Sequence, residues 1–120
     1  MTNAEMDRLL ATEVMGWGFA GETYYKAISE GHARSVHSCY SWKPSQKIDQ
    51  AFMVVEKLRE KSLWLSLSQM PGKHPRWRAI FVFGGMAVGD RSMAIAVADT
   101  PAEAICRAAI EVILANNPQP

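Results

Sequence analysis

The sequence predicts an α+β domain in which three helices pack around an antiparallel sheet of about four or five strands. Three observations predict it. The stretch from Asp99 to Asn117 sets Ile105, Ala108, Ala109, Val112 and Ile113 on one helical face, widened by Cys106 and Ile110. An apolar arc that wide needs a flat partner such as a sheet. Upstream of it, three strand-like segments joined by short connections make an antiparallel meander. The third of these strands has an alanine face, Ala94, Ala96 and Ala98, suited to close approach of the helix that follows at once. At 120 residues and 48% apolar, the chain has the size of one domain with its own core.

At the start of the chain, Thr2-Asn3-Ala4-Glu5 is a capping box, and Met6, Leu9, Leu10 and Val14 recur at helical spacing, predicting a helix from about Asn3 to Met15. Gly16 stands where a left-handed C-cap belongs, and Trp17 is placed to fold back on the last turn. From Gly16 to Pro44 clear periodicity is lost. A structureless segment of that length is unusual in a compact domain, so a hairpin is expected, with strands Thr23 to Ile28 and Ser35 to Trp42 and the turn at Ser29 to His32.

Pro44 pushes Trp42 and Lys43 toward extended backbone, and Ser45 is placed to cap a second helix. That helix has Ile48, Ala51, Phe52, Val55 and Leu58 on one side and Gln50, Glu56, Lys57 and Glu60 toward solvent. After Lys61 the period changes to two, with Leu63, Leu65 and Leu67 alternating against Trp64, Ser66 and Ser68. Met70 to Pro75 is turn chemistry, and Arg76 to Phe83 follows, its second half apolar on both faces as in a central strand covered from each side. Gly84, Gly85 and Gly89-Asp90 mark the next reversal before Met93 to Ala98. Thr100, Pro101 and Glu103 then specify the start of the last helix as cap, first-turn proline and capping-box partner. Glu103, Arg107 and Glu111 are spaced for two i,i+4 ion pairs, and Asn116, Asn117 and the tail Pro118 to Pro120 stop the helix.

Thirteen basic against 12 acidic residues, a net charge of +1, argue against a general nucleic-acid or membrane-surface binder. The two cysteines, Cys39 and Cys106, have neither metal nor redox spacing and read as reduced thiols. The N-terminal residues lack the basic and apolar regions of a leader, and no apolar run approaches the roughly 20 residues of a membrane span. A cytoplasmic protein, without membrane association, is expected.

Three blocks carry a family resemblance: M-D-R-L-L-A-T-E-V-M-G-W at Met6 to Trp17, W-K-P-S-Q-K-I-D-Q-A-F-M-V-V-E-K-L at Trp42 to Leu58, and A-D-T-P-A-E-A-I-C-R-A-A-I at Ala98 to Ile110. In this order they resemble the phage ABA sandwich domain family of small tailed-phage and prophage proteins. The resemblance implies an α/β/α layered fold and a phage origin, hence the cytoplasm of a bacterial host, and brings no catalytic residues with it. The chain departs from the family pattern most between Gly18 and Ser41.

No nucleophile elbow, phosphate-binding glycine loop, dinucleotide fingerprint or zinc-protease motif is present, so neither an enzyme nor a cofactor is expected. His32, His37, Cys39 and His74 are too widely spaced for the usual zinc pairs, and Cys106 lies on a packed helix face. Two aromatic-basic segments remain. One is Lys73, His74, Arg76, Trp77 and Arg78, where guanidinium forks and an indole could hold a phosphate and stack a base. Against this stands a solvated hairpin tip with Trp77 in the core. The other holds Tyr24, Tyr25, His32, Arg34, Trp42 and Lys43, aromatics that could equally roof a sheet.

The ligand-binding candidates are therefore Tyr24, Tyr25, Arg34, Trp42, Lys43, Arg76, Trp77 and Arg78. The reading they support is a non-catalytic phage accessory protein that sequesters a small anionic, nucleotide-like ligand, such as a nucleotide immune signal of the host, and so counters host defence. The alternative is a phage protein-interaction or assembly-accessory module without a small-molecule ligand; an enzyme acting on a nucleotide-like substrate ranks third. A homo-oligomer, in first place a dimer, is expected on either of the first two readings, because so small a domain does not cover both faces of its sheet.

Overall fold

The computed structural model describes residues 1–83 and 92–116. Its first helix, α1 (Asn3–Leu9), begins at a complete capping box: the Glu5 N–H donates to Thr2 Oγ1 at 3.1 Å, and Thr2 donates back to the Glu5 carboxylate. The predicted helix continues, but residues Leu10–Val14 widen into a π-helical turn, in which the Met15 N–H reaches the Leu10 carbonyl. Thr12 competes for the local carbonyls, its hydroxyl donating toward those of Arg8 and Leu9. The ending is as expected. Gly16 takes φ +74°, and the Trp17 N–H donates to the Ala11 carbonyl at 3.0 Å, which closes the last turn.

Two three-stranded antiparallel sheets follow, six strands in place of four or five in one sheet. The first has the order β1 (Gly18–Ala20), β2 (Thr23–Ser29), β3 (His32–Ser38). Strand β1 has no alternation that a sequence could show; it exists because its three residues pair with Thr23 to Tyr25. The hairpin is where it was expected, with Glu30 and Gly31 at its tip, but β3 starts three residues before Ser35 and ends at Ser38. Cys39 to Trp42 turn away, the Ser41 and Trp42 amides both bonded to the Ser38 carbonyl. The second sheet has the order β4 (Leu63–Met70), β5 (Arg76–Phe83), β6 (Ser92–Ala98). The expected reversal at Gly84, Gly85 and Gly89-Asp90, and the tail after Asn116, lie outside the described residues.

Between the sheets' sequences runs α2 (Ile48–Arg59), and α3 (Pro101–Asn116) closes the chain. Ser45 does not cap α2. Lys47 holds that position without a side-chain bond, and Ser45 is drawn to Asp7 instead. The buried face of α2 is also rotated from the expected one. Gln50, Ala51, Val54 and Leu58 are buried, while Ile48 and Phe52 are over 40% exposed, at 41% and 44%. Gln50 explains the rotation, since its amide bridges the Ser41 carbonyl and the Lys43 N–H and holds that edge of the helix inward.

The core is built on α3. Ala102, Ala104, Ile105, Cys106, Ala108, Ala109, Ile110, Val112 and Ile113 are all buried, more of the circumference than the predicted arc. The reason is its neighbours: α3 packs on β5 and β6 on one side and on α1 and α2 on the others. Ala79, Phe81, Ala94 and Ala98 face it, so the alanine face does admit the helix closely. The opposite face of this sheet is covered by no helix among the described residues: Trp64 is 50% and Ile95 53% exposed, with Ile80, Val82 and Val97 half-buried beside them. Strand β5 is central, as expected, but covered on one side. No described helix is long and apolar enough to cross a membrane.

Thr100 accepts a bond from the Glu103 N–H at 3.2 Å, whereas the Glu103 carboxylate turns to Arg107 at 2.9 Å, so half of the predicted capping box forms. Thr100→Ala should therefore lower stability by about 1 kcal/mol, read as a shifted denaturant midpoint. An unchanged midpoint would mean that this cap contributes nothing to the start of α3.

Candidate functional site

A cleft of about 500 Å³ lies between α1, the first sheet and the turn after β3. It is built from the inside out by one carboxylate. Asp7 is buried, and its two oxygens accept the Ser45 N–H at 2.9 Å and the Ser45 hydroxyl at 3.1 Å. The Asp7 carbonyl accepts the Trp42 Nε1–H at 2.8 Å. One helical residue thus ties down both sides of Pro44, which sets Lys43 and Gln46 along the cleft. Burial pushes the Asp7 carboxyl above the usual carboxylate range, and the Ser45 bonds and the Lys43 charge pull it only part of the way back.

Behind this edge lies an aromatic cluster. Trp17 and Trp42 meet edge to face at 4.7 Å, and the His37 ring lies 5.7 Å from Trp17 and 5.4 Å from Trp42. His37 Nδ1 is 3.2 Å from Ser41 Oγ, which is itself bonded to Ser38. These groups brace the turn Ser38 to Trp42. Along the cleft wall, Phe19 and Tyr24 are 4.8 Å apart, and the Arg8 guanidinium sits 4.4 Å over the Phe19 ring. Burial raises the pKa of Tyr24, against the opposing Arg8 charge. On the rim, Tyr40 is 67% exposed, and its hydroxyl donates to Glu22 at 2.9 Å, which holds the ring in place and raises its pKa. Among the described residues neither Arg8 nor Lys43 has an ion-pair partner. The cleft thus offers two cations outside any ion pair among the described residues, Arg8 stacked on the half-buried Phe19 ring and Lys43, beside the exposed ring of Tyr40.

The sequence-derived candidates divide over this geometry. Tyr24, Trp42 and Lys43 are brought together at the cleft. Trp42 is 1% exposed and belongs to its floor, with its indole N–H already used by Asp7, so it offers no open face for stacking. Tyr25, on the other side of β2, and Arg34, exposed on β3, do not line it. Arg76, Trp77 and Arg78 lie on β5. Arg76 pairs with Asp99 at 3.4 Å, Arg78 is exposed opposite Ser68 and Val97, and Trp77 packs on the edge of the core. Of the charges on that segment, Arg76 alone meets an acid among the described residues. Sequence reasoning missed Arg8, Phe19 and Tyr40 as site residues. Arg8 looks like any solvated arginine on a helix, and only the approach of β1 gives it a role. Among the described residues no three His, Cys, Asp or Glu side chains come together as metal ligands, and burial pushes the Cys106 thiol far above its ordinary value.

The three sequence blocks find a common place in this geometry: the first gives Asp7 and Arg8, the second Trp42, Lys43 and Ser45, and the third the helix beneath them. A family model for the phage ABA sandwich domain matches residues 8–110. The chain belongs to the phage ABA sandwich domain family. No curated protein and no solved structure matches it. The α+β layering of helices on antiparallel sheets is that of a sandwich domain, and the family model covers the described residues from the cleft arginine Arg8 to Ile110 of α3.

The shifted carboxyl of this ABA sandwich domain gives a pH signature. Its folded pKa lies above the ordinary 3.8, so the folded state holds the proton more tightly than the unfolded one. The stability that protonation contributes is complete below 3.8 and is lost as pH rises through the folded value. Asp7→Asn keeps an acceptor for the Ser45 N–H but removes the titration. Urea midpoints measured from below pH 3.8 to neutrality should show the wild type losing stability relative to the variant as pH rises. Parallel curves would contradict the assignment of the shift to Asp7.

Proposed function

We propose that this phage ABA sandwich protein is a non-catalytic binder of a small anionic, nucleotide-like ligand, taken up in the cleft of Arg8, Lys43, Phe19 and Tyr40. The observation that carries this reading is the pair of cations that have no ion-pair partner among the described residues, beside a ring that is exposed yet held at its tip by Glu22. A guanidinium fits phosphate oxygens as a fork, and an immobilised ring loses little entropy when a base stacks on it. The volume of about 500 Å³ lies in the range of small-ligand sites. In an infected host, capture of a nucleotide signal by such a protein would blunt a defence that depends on it.

Titration calorimetry with linear and cyclic adenine and guanine nucleotides is the test. Micromolar binding by at least one of them is expected, and Arg8→Ala should weaken it by about 1–2 kcal/mol, roughly five- to thirtyfold, as for a partly exposed charge-assisted contact. No binding at millimolar concentration, or full affinity without the arginine, would sink the reading.

One observation favours the second reading, a protein-interaction module: the bare sheet face of Trp64, Ile80, Ile95 and Val97. Contiguous apolar surface of this kind is a common mark of association. Under that reading two copies join through this face, and sedimentation velocity at micromolar concentration should show a dimer that Ile95→Glu returns to monomer. A 13.3 kDa species alone in the wild type would remove it.

A further inference from the structure

Outside the cleft, the hairpin of β2 and β3 carries a charge arrangement that the fold does not require. Every residue from Lys26 to Ser35 is exposed, so this part of the ribbon is not packed into the core formed by the described residues. Lys26 and Arg34 are directly opposed across it. Like charges facing each other in an antiparallel pair destabilise the ribbon, and among the described residues neither has an acidic partner. Glu30, the only acid between Thr23 and Cys39, lies in the turn.

The position of the pair matters as much as its charge. Register shifts lie on both sides of it, between Tyr24 and Tyr25 and between Ala27 and Ser29, and such irregularities increase the local twist. The shift beside Tyr24 leaves its extra residue, Val36, on β3; β2 pairs there without a break with Phe19 and Gly18 of β1, and from Tyr25 to Ala27 with Ser35, Arg34 and Ala33, so β2 keeps its alternation from Tyr24 to Ala27. Lys26 therefore lies on the same face as Tyr24, about 7 Å further along the strand. Tyr24 lines the cleft. The cationic pair thus stands two residues further along β2 than Tyr24, on the face that Tyr24 presents to the cleft.

We propose that Lys26 and Arg34 form a second phosphate subsite, so that the preferred ligand of the cleft is a dinucleotide-like molecule with two phosphates rather than a mononucleotide. The proposal rests on the cleft reading. Its physical basis is that an anion seated between the two side chains relieves a repulsion that the free protein bears, while the first base and phosphate occupy the Tyr40 ring and Arg8. Arg34, which the cleft alone leaves without a use, then belongs to the same ligand.

The test compares AMP with its 5′-phosphorylated dinucleotide pApA, and GMP with pGpG, by calorimetry at several salt concentrations. The dinucleotide of the better-bound base should bind at least about fivefold more tightly than the mononucleotide, with a steeper salt dependence. In Lys26→Glu that ratio should fall to one, while the melting temperature does not fall, because the new carboxylate can pair with Arg34 across the strands. Equal affinity for the two ligands in the wild type, or a ratio and salt slope that Lys26→Glu leaves unchanged, would overturn the second subsite while leaving the cleft reading in force. If neither mononucleotide nor dinucleotide binds, both fall together.

Discussion

Most of what is specific about this domain depends on the clamp between Asp7 and the segment Trp42 to Ser45. It joins residues 35 and 38 positions apart in the chain, through a carbonyl that takes the Trp42 indole and a carboxylate that takes Ser45 twice. The energetics are not simply favourable. Burial of a carboxylate without a salt bridge costs several kcal/mol, and bonds from neutral donors return about 1 kcal/mol each, so burial prevails and the pKa is raised. What the clamp supplies is position. A shift of either segment would leave three buried donors and a buried acid without partners, each a further loss of about 1–3 kcal/mol. The chain from β3 to α2 is thereby held against α1, and with it Lys43, Tyr40 and the cleft edge.

The second constraint is α3. A helix buried around most of its circumference must be shared by several elements, and here the second sheet, α1 and α2 all use it. Small residues make this possible: the buried alanines Ala102, Ala104, Ala108 and Ala109 let backbones approach closely, at the cost of little side-chain entropy. Because the helices gather on this one side, the outer face of β4 to β6 is left to solvent or to a partner. The two proposed surfaces thus have different origins. The cleft follows from the Asp7 clamp, whereas the bare sheet face follows from the way the helices share α3.

Legibility in the sequence tracked the range of the interaction. Helix starts at Thr2 and Thr100, the end at Gly16, and β4 and β5 with their shared turn were readable, because caps, turns and period-two patterns act within a few residues. Tyr24, Trp42 and Lys43 could be suspected as one aromatic-basic group. Their partners Arg8, Phe19 and Tyr40 could not. Arg8 becomes a cleft residue only when β1 brings Phe19 beneath it, and β1 itself has no local signal. Ser45 was misread for a related reason. As a serine ahead of a helix it fits an N-cap, and a buried acid far away in sequence competes better for the same donors.

By itself the sequence determined the class of the fold, the starts of its first and last helices, the strands β4 and β5, and membership in the phage ABA sandwich family, since all of these reside in patterns of neighbouring residues. Tertiary structure alone decided which face of α2 turns inward, that the strands divide into two sheets, that β5 is covered on one side, and which cations stay unpaired. Arg76 and Arg8 are equally basic as residues, yet Asp99 meets one and, among the described residues, no acid pairs with the other. That difference is set by long-range packing, in which a charge's value depends on what the rest of the chain brings to it, and no local pattern encodes it.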